Sequence, residues 1–321
     1  MLLSIFALSA AFMLASEPRP LTKGEIHFTS DDAASKVPEN FRLAPHEFSY
    51  EMHRTHDLKY SGVEVYAVRF PSAVESPHVE NNTVHLEYFR PKKPGKYPAA
   101  IVLDIMDGTA MVSRGEAMWL ASNGVAALSM TMPYYGKRRP ADGKHRLLSP
   151  DVEKSIANVR QAVFDGRRAS AWLAARPDID ATRLGVVGTS LGSFTGALLT
   201  AAEPRIKTAC LLLSGGGLVD AFGDHPQAAL VLQGLRLIGI TKETLRKLID
   251  PLDPLTYADR LKEKKLLLIG ASRDDVVPPA SLKRLWEATG KQDILWYDAT
   301  HVGTGFYVFP AMAAVIDHLK K

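Results

Sequence analysis

Arg183-Leu-Gly-Val-Val-Gly188-Thr-Ser190-Leu-Gly192-Ser-Phe-Thr-Gly-Ala-Leu-Leu-Thr-Ala-Ala202 changes character at its first serine. Leu184 to Thr189 is short, apolar and rich in valine and glycine, the composition of a strand buried on both faces. From Leu191 the apolar residues (Leu191, Phe194, Leu198, Ala202) fall at helical spacing, so the periodicity changes across Ser190. Gly188 and Gly192 flank the serine, and Gly-x-Ser-x-Gly at a strand-to-helix turn predicts a nucleophile elbow. Such a turn lifts the hydroxyl above the sheet, the glycines remove side chains that collide with nearby backbone, and the first helical N–H groups face any oxyanion formed there.

Working outward from the elbow, strands and helices alternate. Ala99–Leu103, Val125–Met130, Lys207–Leu213, Leu266–Ile269 and Ile294–Tyr297 read as strands. Glu116–Ser122, Asp151–Ala175, Pro279–Thr289 and Phe306–Lys320 read as helices. Repeated β-then-α units predict an α/β fold with a mainly parallel central sheet flanked by helices. Two alternating runs, Val63–Phe70 and Thr83–Phe89, lead into it as antiparallel strands. Residues 17–62 read as a polar leader segment and 63–321 as the α/β domain. Insertions at about 133–150 and 215–261 fall at strand ends, where a small helical piece roofs a site.

Composition narrows the function classes. The 321 residues are 46% hydrophobic and 23% charged, with a net charge of +4 and one basic cluster, Lys137-Arg138-Arg139, so nucleic acid is not an expected partner. The single cysteine, Cys210, lies in an apolar run and reads as core. Leu2–Leu14 followed by Ala15-Ser16-Glu17-Pro18 predicts a signal peptide over 1–16. Export follows, with no stable membrane insertion after cleavage; an uncleaved apolar anchor is the alternative. His53-x-x-His56-Asp57 lacks a third clear metal ligand and reads as solvated, and Tyr134-Tyr135 reads as packed under a loop whose basic residues are solvated.

A serine nucleophile needs a base and an acid. Asp274 and Asp275 stand just past the Leu266–Ile269 strand, where a carboxylate accepts the Nδ1 proton of a histidine and fixes its tautomer. Asp274 has the better spacing, with Asp275 as a turn residue. His301 follows the last strand, on a loop able to reach back over the sheet. The order Ser190…Asp274…His301 is the order of α/β-hydrolases.

On these residues the chain resembles the α/β-hydrolase superfamily from about Val63 onward, in particular its dienelactone-hydrolase-like and acetyl-esterase-like serine hydrolases. The likeness rests on Gly188-Thr-Ser-Leu-Gly192, Asp274-Asp-Val-Val-Pro-Pro279 and His301, with support from Phe89-Arg-Pro, Tyr97-Pro-Ala-Ala-Ile-Val-Leu103 and Asp253-Pro-Leu-Thr-Tyr-Ala-Asp-Arg-Leu261. It implies hydrolysis of small carboxylic esters through an acyl-enzyme, without metal or organic cofactor. The oxyanion donors it implies are the N–H groups of Leu191 and Met106. Where the family carries His-Gly before that second donor, this chain has Asp104-Ile105, which brings carboxylates near a negative charge unless Arg114 or Lys137 pairs with them. A peptidase of the same fold and a catalytically silent binding protein are the rival expectations. Peptidases of this kind usually carry a large additional domain, for which the 321 residues leave no space.

Overall fold

The computed structural model describes residues 21–223 and 241–321. The predicted signal peptide and residues 224–240 of the insertion expected at about 215–261 lie outside them. Four strands open the chain: β1 (Thr22–Phe28), β2 (His46–Leu58), β3 (Val63–Pro71) and β4 (Thr83–Pro91), each antiparallel to the one before. Within the segment expected to be a leader, β1 and β2 extend the sheet, so the domain does not start at Val63. The alternation is hard to see because only one face of these outer strands is covered. Ile26 and Phe28 on β1 and Phe48 and Tyr50 on β2 point inward, among charged neighbours that face water.

The remaining described strands are β5 (Tyr97–Leu103), β6 (Ala126–Met130), β7 (Ile179–Thr189), β8 (Ile206–Leu212), β9 (Lys265–Ala271) and β10 (Asp293–Tyr297). They pair in parallel, and β6 joins β4 antiparallel, giving the order β1-β2-β3-β4-β6-β5-β7-β8-β9-β10. The described α-helices are α1 (Met111–Ser122), α2 (Val152–Ala174), α3 (Leu191–Ala202), α4 (Leu218–Gly223), α5 (Lys242–Ile249), α6 (Ala258–Lys262), α7 (Pro279–Ala288) and α8 (Val308–Lys320). Along β5, Ala99, Ile101 and Leu103 join the core under α2 and α3, while Ala100 and Val102 join the core under α1 and α8. That alternation is the pleat of a strand buried on both faces. Cys210 is fully buried on β8, as expected of a core residue.

Two buried ion networks hold loops to this frame. On α2, Arg167 reaches both oxygens of Asp32 (2.6 and 2.8 Å), the Phe41 carbonyl (2.6 Å) and Glu203 at the end of α3 (3.1 Å). Burial works to raise the Asp32 carboxyl, but hydrogen bonds from Arg167, Ser30 and Leu43 outweigh it and hold it down to about 2. Arg138 is not solvated as its basic cluster suggested. It is fully buried, 2.8 Å from Asp165 of α2, and also donates to the Asn81 and Thr131 carbonyls. Tyr134 and Tyr135 of the same loop are buried as expected.

Candidate active site

The Ser190 backbone sits at φ 53°, ψ −119°, a conformation costly for a residue with a side chain. The turn is enforced from both sides. A Cβ on Gly188 would lie 2.2 Å from the Gly192 carbonyl oxygen, and one on Gly192 would lie 2.2 Å from the Leu103 carbonyl oxygen. The Ser190 N–H donates to Leu212 O of β8 (2.9 Å), and its carbonyl accepts from the Ser193 N–H and hydroxyl. Strand pairing and helix start thus hold the strained residue between them.

His301 follows β10 and opens a short 3-10 turn, Val302–Tyr307. Its Nε2 lies 3.0 Å from Ser190 Oγ, and its Nδ1 lies 2.9 Å from both carboxylate oxygens of Asp274. The Asp274 side chain is buried and is further fixed by the N–H groups of Val276 (2.9 Å) and Val277 (2.7 Å). Asp275 does different work: its Oδ1 accepts the backbone N–H of His301 at 3.2 Å. One aspartate holds the ring and its neighbour holds the main chain.

Leu191 is the first residue of α3, so its N–H has no acceptor within the helix and lies beside Ser190. Met106 is on the β5–α1 loop and borders the same space, with its side chain 60% exposed. The carboxylates of that loop are turned to other tasks. Asp104 accepts the N–H of Ser113 in the first turn of α1 (3.0 Å), and Asp107 accepts from the N–H and hydroxyl of Thr109. Arg114 is not the partner of Asp104, because it pairs with Glu87 at 2.7 Å.

The comparisons agree with this architecture. Residues 160–302 match the model of the prolyl oligopeptidase family. A curated uncharacterized protein of Mycobacterium tuberculosis is 27% identical over 190 residues, 57% of this chain and 43% of that protein. The chain thus spans less than half the length of the curated relatives it matches. Among solved structures, an acetyl xylan esterase from a Paenibacillus species superposes with a TM-score of 0.66 at 19% identity, over 84% of this chain and 88% of that one. Acetyl xylan esterase 1 from a Thermoanaerobacterium species gives 0.61 at 19% identity, over 83% and 87%. An esterase of Pyrococcus furiosus gives 0.57 at 19%, over 83% and 96%.

The chain has the α/β-hydrolase fold.

Within this α/β-hydrolase fold, two apolar cavities meet at Ser190. The smaller, about 270 Å³, runs along α3 past Leu191, Phe194 and Leu198 to Leu148, Val159 and Leu252. The larger, about 560 Å³, passes His301 and Val302 to Leu212, Leu213, Val308 and Met312. Met106, Ser190 and Val276 border both. Among the polar residues that line the larger cavity is Glu116 of α1, which sequence reading passed over. Glu116 is buried, its Oε1 accepts the Thr189 hydroxyl at 2.6 Å, and its Oε2 has no partner among the described residues. Burial pushes its carboxyl up to about 7, against the Thr189 hydrogen bond and with help from nearby Asp104. Its signal was a glutamate four residues before buried Leu120, on the helix face that Ala117 and Ala121 also give to the core.

Among the described residues no group of His, Cys, Asp and Glu is arranged to hold a metal ion. His53 and His56 lie on the outer strand β2.

Proposed function

We propose that the chain is a serine hydrolase that cleaves carboxylic esters with apolar groups on both sides of the bond. The observation that carries this reading is the continuous hydrogen-bonded line Ser190 Oγ–His301–Asp274 at an elbow bounded by two apolar cavities. With Asp274 accepting the Nδ1–H hydrogen bond and remaining ionised, His301 Nε2 takes the Ser190 proton as Oγ attacks the acyl carbon. The N–H groups of Leu191 and Met106 receive the oxyanion. His301 then protonates the departing alcohol, and water activated by the same ring releases the acid. Acyl and alcohol portions occupy the two cavities, whose apolar walls favour hydrocarbon over sugar hydroxyls.

A peptidase is the second reading, favoured by the family match over 160–302. Turnover of p-nitrophenyl acetate through octanoate, set beside matched p-nitroanilides, separates the two. The ester reading expects kcat/KM to rise from acetate to the middle chain lengths and the anilides to be poor substrates. Ser190→Ala should abolish turnover and fluorophosphonate labelling while shifting stability by no more than about 1 kcal/mol. Full turnover in the alanine variant, or anilides cleaved faster than esters, removes the assignment.

A further inference from the structure

We propose that Glu116 is a positioning residue of this hydrolysis: as the neutral acid it holds Thr189, and with it Ser190, against α1, and as the carboxylate it opposes the oxyanion. This rests on Ser190 being the nucleophile. The geometry is a bridge across the site. Thr189 is covalently joined to Ser190 on one wall, while Glu116 belongs to the helix that follows the Met106 loop on the other. A single 2.6 Å hydrogen bond therefore couples the serine to the element that aims one oxyanion donor.

The charge state matters because nothing around Glu116 among the described residues balances a negative charge. Asp104, at the end of β5, is itself a buried carboxyl that burial raises, and its Oδ2 has no partner among the described residues. Asp107 and His301 line the same cavity, and Cys210 lies close enough on β8 to feel the glutamate. His301 is the one group of these that becomes cationic, and Asp274 already meets that charge with both oxygens. The oxyanion meets only N–H groups. An ionised Glu116 therefore costs the transition state more at the oxyanion than it returns at His301. Leaving an O–H without an acceptor is also much cheaper than leaving a buried carboxylate oxygen bare.

The test is the pH dependence of kcat/KM on a p-nitrophenyl ester between pH 5 and 9, corrected for spontaneous hydrolysis. The wild-type value should fall about tenfold between pH 6.5 and 8.5 as Glu116 ionises. Glu116→Gln keeps an acceptor for Thr189 but cannot ionise, so the fall should vanish. Thr189→Val removes a hydrogen bond that favours ionisation. It should move the fall to higher pH and lower kcat with little change in KM. A wild-type profile that stays flat above pH 6.5, a Gln variant with the same fall, or a Val variant with wild-type kcat and profile each overturns the proposal. If Glu116→Gln does not fold, the Val variant decides alone. Loss of activity in Ser190→Ala alongside any of those outcomes leaves the hydrolase reading standing, whereas activity surviving there refutes that reading first.

Discussion

At the scale of single residues, the adjacent aspartates offer the sharpest division of labour. Asp274 meets the imidazole through both oxygens and Asp275 meets only the His301 backbone N–H. An amide at the first position replaces a charged acceptor and favours the wrong tautomer, a change that reaches about 10,000-fold at such a position. Asp274→Asn should therefore lower kcat by at least about 100-fold, and Asp275→Asn by less than about tenfold. Steady-state kinetics on one ester, with melting curves to show both variants folded, checks this. Losses in the reverse order would assign the acid to Asp275. Ser190, Asp274 and His301 were legible because each stands next to a strand end that its neighbours announce. Glu116 was not, because a buried carboxyl on an apolar helix face looks like any amphipathic helix until its partner, 73 residues away in sequence, is placed beside it.

At the scale of elements, the junction of β5, β7 and α3 is closed to growth. A methyl at Gly192 meets the Leu103 carbonyl, which is backbone at the end of β5 and cannot rotate away. Gly192→Ala should destabilise the protein by about 2–4 kcal/mol and reduce turnover by 100-fold or more, as α3 retreats from the oxyanion. Gly115, inside α1, is the control: nothing lies within 4 Å of its added Cβ. Gly115→Ala should stabilise by about 0.5–1 kcal/mol through helix propensity and a less free unfolded chain. Urea denaturation of the two variants measures both signs. The central parallel strands β5 to β9 were legible because a strand covered on both faces is written as an uninterrupted apolar run. The outer strands β1 and β2 were not, because a strand covered on one face alternates, and their lysine, glutamate and histidine residues mask the short alternation.

At the scale of the whole molecule, the antiparallel and parallel halves are joined through α2. Arg167 collects Asp32 and Phe41 from the N-terminal region and Glu203 from the end of α3 around one fully buried guanidinium. Removing it leaves Asp32 without its cation and Glu203 with Arg205 alone. Arg167→Ala should cost about 3–5 kcal/mol in urea unfolding. Molecules that remain folded should keep their turnover, since this network does not touch either cavity. An unchanged unfolding midpoint would show that Asp32 and Glu203 find compensation elsewhere.

The strand order also sets a timetable for a chain that leaves the ribosome N-terminus first. Strands β1 to β4 are consecutive in sequence and side by side in the sheet, so each meets its neighbour as it emerges. Strand β5 must wait, because the two strands that enclose it, β6 and β7, are both made later. Ser190, Asp274 and His301 enter in that order, and the histidine comes after the last strand. A nascent chain halted between Tyr297 and His301 has every described strand yet lacks the group proposed to accept the Ser190 proton. On the proposed mechanism, synthesis itself keeps the unfinished chain inert.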